Sequence, residues 1–269
     1  SPHGVRRLAV VVFLAALVLL VLTPWMGMEV KGARRWIGLG AFSIHPSEFI
    51  KPAFVVVSAW MFAERRLREG FPGNTISIAL YAIVAGLLVI QPDFGMAVVV
   101  TAVWFTQFFL AGLPLAFVAI CAAIGLGLLV AGYFSFDHVA SRIDRFLDPS
   151  TGDTFQVTTA TEAFMNGGLF GRGPGEGTVK DILPDAHADF IFAVAGEEFG
   201  LLACLGIVAV FAFVVLRGYG RLLQERDLFI LLATAGLLTQ FGLQAVINMA
   251  STLRLMPTKG MTLPFISYG

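Results

Sequence analysis

FGMAVVVTAVWFTQFFLAGLPLAFVAICAAIGLGLLVAGYFSF, residues 94–136, runs for 43 positions without one Asp, Glu, Lys or Arg. A helix rising 1.5 Å per residue crosses the hydrocarbon of a bilayer in about 20 residues, so this run is long enough to cross twice. Gly112-Leu113-Pro114 interrupts it near the middle. The stretch therefore predicts a helical hairpin, with spans over 94–111 and 115–134.

The same test applied outward finds uncharged spans over 8–28, 72–91 and 228–250. A span over 190–216 is interrupted only by Glu197-Glu198, a shorter one over 46–63 carries Glu48 and Lys51, and another apolar segment starts at 262. The expectation is an all-α polytopic transmembrane helical bundle of about seven spans plus the start of another, forming one membrane domain over 1–269 with a long outer loop over 137–188. Too many spans follow the first, with no small-residue cleavage motif after it, for that run to be a signal peptide.

Composition agrees. Hydrophobic residues make up 57% of the 269 positions and charged residues 13%, where a soluble domain carries about 25%; mean hydropathy is +0.83. The formal net charge is zero, which gives no footprint for nucleic acid. Cys121 and Cys204 each lie in an apolar run and read as small core residues, not as a disulfide or a metal site.

Orientation follows from cations near the span ends. With Arg6 and Arg7 inside, alternation also places Arg65, Arg66 and Arg68, and Arg217, Arg221 and Arg226, inside. It leaves three connections outside: Glu29 to His45, Asp137 to Ala188, and Arg254 to Met261. These hold Lys31, Arg34, Arg35, Arg142, Arg145, Arg172, Lys180, Arg254 and Lys259, with Lys51 close by, where the rule expects few cations. Pairs such as Arg142 with Asp144 account for part of this excess. The rest suits an anionic ligand at the outer leaflet, since Lys and Arg clamp phosphates.

The long outer segment contains Gly167-Gly168-Leu169-Phe170-Gly171-Arg172-Gly173-Pro174-Gly175. Without a preceding strand or a P-loop Lys-Ser/Thr, the run reads equally as a ligand-facing loop or a turn at the membrane surface. Thr158 to Met165 is expected to form a short helix at the interface, leading into it.

Six stretches now carry a resemblance: Gly32-Ala33-Arg34-Arg35-Trp36-Ile37; Pro46-Ser47-Glu48; Gln91-Pro92-Asp93-Phe94-Gly95; Leu183-Pro184-Asp185-Ala186-His187-Ala188-Asp189-Phe190-Ile191-Phe192; Gly196-Glu197-Glu198; and Pro257-Thr258-Lys259-Gly260-Met261-Thr262-Leu263-Pro264-Phe265-Ile266-Ser267-Tyr268-Gly269. In kind and order they resemble the FtsW/RodA (SEDS) family, and Pro-Thr-Lys-Gly resembles its division branch more than its elongation branch. Against the family's ten-helix fold the chain is expected to lack the first two spans and nearly all of the last. It departs from the family pattern at Lys31, His45 and Ala188, none of them a charged motif position.

The resemblance implies a glycosyltransferase of the bacterial cytoplasmic (inner) membrane. Such an enzyme polymerises lipid II at the outer face and releases undecaprenyl pyrophosphate, for wall synthesis at the division septum. It also implies a class B penicillin-binding protein (a transpeptidase) and other division proteins as partners. An attacking sugar hydroxyl must lose a proton, which a carboxylate accepts, and the pyrophosphate leaves with negative charge, which Arg, Lys or a divalent cation such as Mg or Mn stabilises. The resemblance points to Asp189 as the base; for a bare Asp in such a place, helix capping is the bland alternative. Arg172, Lys180 and Lys259, in the outer loops, are the pyrophosphate candidates, and Trp36, Glu48, Lys51 and His187 complete the expected substrate-binding set. Glu48 and Lys51 also stand at ion-pair spacing, Asp93 in a capping position, and one His makes no metal site. Glu197 and Glu198, inside a span, are either functional or paired with an Arg from a neighbouring helix.

Two rival functions remain at this stage. A lipid II flippase or transporter would use Glu197 and Glu198 as a midplane relay and often shows internal repeats, which are not evident here. A non-catalytic scaffold recruiting a transpeptidase would not need Asp189.

Overall fold

A computed structural model describes residues 2–30, 33–39, 42–112, 155–257 and 260–267, with individual positions between 116 and 148. The elements are α1 (Pro2–Met26), β1 (Met28–Val30), β2 (Ala33–Leu39), β3 (Phe42–Ile44), α2 (Pro46–Leu67), α3 (Gly73–Ile90), α4 (Phe94–Leu110), α5 (Phe155–Gly167), α6 (Val179–Ile182), α7 (Ile191–Leu222) and α8 (Leu228–Thr252). Of the hairpin expected over 94–134, α4 is the first arm. Much of the second arm, including Cys121, lies outside the described residues, as do Lys31, Arg142, Arg145 and Lys259.

Among the described residues, the chain is all-α apart from one small sheet. Four of the described helices are long and apolar enough to cross a membrane: α1, α3, α7 and α8. α4 is apolar but shorter, at 17 residues. The connection from Glu29 to His45 pairs into a three-stranded antiparallel sheet in the order β1-β2-β3, with Met28 opposite Trp36 and Ile37 opposite Ile44. Strands of three and seven residues are too short to register beside 20-residue apolar runs, which is why the sequence reading assigns none here.

Two compact units divide the chain: Ser1–Val118 with Arg217–Gln240, and Ala119–Leu216 with Phe241–Gly269. In the first, α2 packs against α1, α3 and α4. Enclosed by these helices, α2 buries most of its length from Pro46 to Ala63, Lys51 included, while its other charges, Glu48, Glu64, Arg65 and Arg66, lie toward its two ends. Phe62 stacks on Phe108 at 4.9 Å and Tyr81 on Trp104 at 4.5 Å. A buried polar chain links three helices, with Trp104 Nε1 donating to Ser77 Oγ at 2.9 Å and Ser77 Oγ to Ser58 Oγ at 3.2 Å. Gln107 spans further, donating to the carbonyls of Val55 and Leu232. With no water in the bilayer, such partners prevent the cost of unsatisfied polar groups.

The second unit holds the long connection. The helix expected over Thr158–Met165 runs from Phe155 to Gly167 as α5, and its small residues Ala160, Ala163 and Gly167 are buried. They permit close approach: a Cβ on Gly167 would meet the Gly196 carbonyl of α7, and one on Gly196 would meet the Phe164 ring. Ala160, Ala163, Val179, Leu183, Ala186, Phe190, Ala193 and Val194 form one apolar cluster. Phe192, Cys204, Phe211, Ala245, Met249 and Leu263 form another, which joins α7, α8 and the 260–267 segment.

Candidate functional site

α7 is a broken helix. Gly200 has φ 79° and ψ −177°, far from helical and open only to glycine. The break would orphan backbone groups inside a span, a cost that lipid cannot relieve. The Gly-rich run supplies the partners. Arg172 N–H donates to the Glu197 carbonyl at 2.9 Å and Gly173 N–H to that of Glu198 at 3.0 Å, while Leu201 and Leu202 N–H donate to the carbonyls of Gly168 and Leu169 at 2.9 and 3.3 Å. Glycine is required on both sides, since a Cβ on Gly171 would strike the Glu198 carbonyl and one on Gly200 the Gly171 nitrogen. The run therefore completes a membrane helix.

The two α7 carboxylates fasten the same loop. Glu197 has no exposed side-chain surface. It accepts Val179 N–H at 2.9 Å and Thr178 Oγ1 at 3.3 Å, and its Oε1 lies 3.4 Å from Arg172 Nη1. Glu198 pairs with Lys180 at 2.7 Å, and Lys180 also donates to the Gly175 carbonyl at 2.8 Å. The Glu198 hydrogen bond is the main cause that raises the Lys180 pKa; burial opposes it, and the charges of Glu198, Asp181 and Glu176 add to it. The partners thus come from the Gly-rich loop and the short α6 that follows it, not from an Arg of a neighbouring span. The relay carboxylates of the transporter reading are engaged in bracing that loop.

From α6 the chain turns directly to Asp189. Ala188 and Asp189 N–H donate to the Asp185 carbonyl at 3.1 and 3.0 Å, and Asp185 adopts φ 59°. Two adjacent carbonyls of the turn are then held by side chains from far along the sequence. Ser267 Oγ donates to Ala188 at 2.6 Å, and buried Asn248 of α8 donates to Asp189 at 2.9 Å. The same Asn248 amide donates to the Met261 carbonyl at 2.6 Å. Asp189 itself is half-buried, with Oδ2 so close to Gly260 that a Cβ there would come within 2.6 Å of it. Asn248 is the residue beside Asp189 that motif reading missed, while Ser267 lies within the last motif but carried no assigned role. Asn248 sits in an uncharged helix that also holds Gln240 and Gln244, so its sequence context does not mark it. His187 is exposed on the Asp189 turn.

In the first unit, Trp36 stands edge-on to His45, with ring centroids 5.0 Å apart. His45 Nδ1 lies 2.6 Å from Ser47 Oγ. Burial lowers the His45 pKa, against the raising effects of Glu48 and Asp93. Lys51, 1% exposed, donates to Glu48 at 2.8 Å and lies 3.4 Å from Met96 Sδ, while Glu48 is 40% exposed. Arg35 donates to the Pro92 carbonyl at 2.7 Å, and Asp93 caps α4 by accepting Met96 N–H. Trp36, His45, Glu48 and Lys51 therefore gather at the start of α2. In the second unit Arg172 and Lys180 gather around α7, and Asp189 around the end of α8. Among the described residues, no group of three His, Cys, Asp or Glu could hold a metal ion. The described side chains therefore do not form a protein cage for Mg or Mn.

Long apolar helices, one of them broken and completed by a glycine-rich loop, with a clamped carboxylate beside its start, define a multi-pass membrane protein with a loop-borne site. The sequence profile of the FtsW/RodA/SpoVE family, described as "Cell cycle protein", matches residues 1–269, and the chain belongs to this family. It is 46% identical over 269 residues to the "Probable peptidoglycan glycosyltransferase FtsW" of Caulobacter vibrioides, covering 100% of this chain and 69% of that protein. The protein of the same name from Trichlorobacter lovleyi is 38% identical over 272 residues, covering 98% and 71%. Among solved structures, the chain is similar to one described as "Structural coordination of polymerization and crosslinking by a peptidoglycan synthase complex", with TM-score 0.79, 28% identity and coverage of 100% and 77%. It is also similar to the rod shape determining protein RodA of Thermus thermophilus, with TM-score 0.66, 27% identity and coverage of 100% and 74%.

Proposed function

We propose that this peptidoglycan glycosyltransferase polymerises lipid II at the outer face of the bacterial cytoplasmic membrane, with Asp189 as its general base. The observation that carries the reading is the double clamp on the Asp189 turn: two long-range side chains hold the backbone that carries the carboxylate, which rests against Gly260. As the acceptor hydroxyl attacks the anomeric carbon of the donor, its proton passes to the Asp189 carboxylate and the C–O bond to undecaprenyl pyrophosphate breaks. Such proton acceptance contributes typically about 10²- to 10⁴-fold.

The departing pyrophosphate needs positive charge. Arg172 is 39% exposed, so its guanidinium retains N–H groups facing solvent while braced by Glu197. With Lys180 and Lys259 it forms the proposed cationic set. Trp36, Glu48, Lys51 and His187 are proposed to bind the sugar and lipid portions. The partner is a class B penicillin-binding protein that crosslinks the new strands, together with other division proteins, at the septum.

The test is reconstitution of the full-length protein with its transpeptidase in vesicles, supplied with lipid II. Glycan strands and released undecaprenyl pyrophosphate support the reading. Transbilayer movement of lipid II without product would support a flippase, and neither outcome would leave a scaffold.

A further inference from the structure

Asn248 has no exposed surface and lies in the last turns of α8, an uncharged span. A buried primary amide there is costly unless its hydrogens are bonded. Both are spent on main-chain carbonyls from separate segments: Asp189 at 2.9 Å, just before α7, and Met261 at 2.6 Å, in the stretch after α8. The main-chain carbonyl of Asn248 accepts the hydroxyls of Ser251 at 3.0 Å and Thr252 at 2.7 Å, which holds the end of α8. Met261 adjoins Gly260, the residue against which the Asp189 carboxylate rests. One side chain therefore sets the distance between the backbone that carries the carboxylate and the backbone that lines it.

We propose that Asn248 is a positioning residue for glycosyl transfer, acting through Asp189; the inference rests on the reading of Asp189 as the base. Held at both carbonyls, the carboxylate keeps one place relative to the 260–267 segment. Released from either, it shifts, and a displacement of about 1 Å at a proton-transferring group is enough to cost on the order of 100-fold in rate. Ser267, itself in the 260–267 segment, ties Ala188 to Leu263, whose N–H it accepts at 2.7 Å, but the Asp189 carbonyl itself is held by the Asn248 amide.

The experiment measures lipid II polymerisation by the full-length protein with its transpeptidase partner, expressed per folded molecule, for wild type, Asn248→Asp, Asn248→Ser and Asp189→Asn. Asn248→Asp is nearly isosteric and cannot donate when ionised; Asn248→Ser retains one donor. The expected result is kcat lowered about 100-fold in Asn248→Asp and less in Asn248→Ser, with KM for lipid II within about twofold of wild type. Should Asn248→Asp fail to fold, the kcat and KM of Asn248→Ser decide alone. Normal kcat per folded molecule, or a change confined to KM, would overturn the proposal and leave Asn248 a packing residue. An active Asp189→Asn would instead overturn the underlying reading, whatever the Asn248 variants do.

Discussion

Arg172 meets Glu197 twice: its backbone N–H donates to the Glu197 carbonyl at 2.9 Å, and its guanidinium lies 3.4 Å from the Glu197 carboxylate. A helix carbonyl and its own side chain are thus satisfied by one residue of a loop. The backbone contact replaces a rung lost at Gly200, and the side-chain contact neutralises a charge with no exposed surface.

Arg172→Ala keeps the backbone bond and removes the countercharge. Glu197 is then left with Thr178 and Val179 as neutral donors, and because the lost guanidinium is 39% exposed the cost is that of an under-satisfied buried acceptor, about 1–3 kcal/mol. Thermal unfolding of the detergent-solubilised protein should show that loss. Glu197→Gln added to Arg172→Ala should restore part of it by removing the stranded charge, and equal stability of the single and double variants would show the pair to be unimportant.

Gly200→Ala places a Cβ against Gly171 and Leu169 and forces an L residue into a backbone region costing about 1–3 kcal/mol. The loop should separate from α7, seen as new proteolytic cleavage within 168–178. Gly206→Ala, on the same helix with open space around it, should leave the cleavage pattern unchanged.

Lys180 gives a pH dependence whose sign is fixed. Its folded pKa is raised by Glu198, so its contribution is complete below the unfolded value of about 10.4 and is lost as pH rises through the higher folded value. The stability gap between wild type and Lys180→Met should hold steady from about pH 7 to 9 and close above about pH 10.5. A gap that instead closed between about pH 9 and pH 7, where both partners keep their charges, would contradict the assignment.

Charge alternation places Gly175 outside and Glu69 inside. A cysteine introduced at Gly175 should react with an impermeant thiol reagent on intact cells, and one at Glu69 should not. Reaction of both would refute the orientation.

Most of the helices were legible because an uncharged run of 20 residues has few alternatives to a span. α2 was legible only as a shorter run, since its charges are compensated by protein and not by lipid. The Glu48–Lys51 pair and the Asp93 cap follow from local spacing, and the structure shows both. The partners of Glu197 and Glu198 were not legible. They depend on a helix break at Gly200, and an isolated glycine in a span carries no mark of φ +79°. Asn248 was hidden for a similar reason: its two acceptors are backbone carbonyls 59 and 13 positions away, which no motif records.

The most direct test of the account is glycan synthesis from purified lipid II by the Asp189→Asn variant of the full-length protein, at equal folding and equal partner binding. Asn preserves the side-chain volume, and the clamps from Asn248 and Ser267 act on backbone carbonyls that the change leaves untouched. The proton acceptor is lost while the backbone clamps remain. The account predicts that polymer formation falls by about 10²- to 10⁴-fold. Strands of normal length, made at the normal rate, would contradict it.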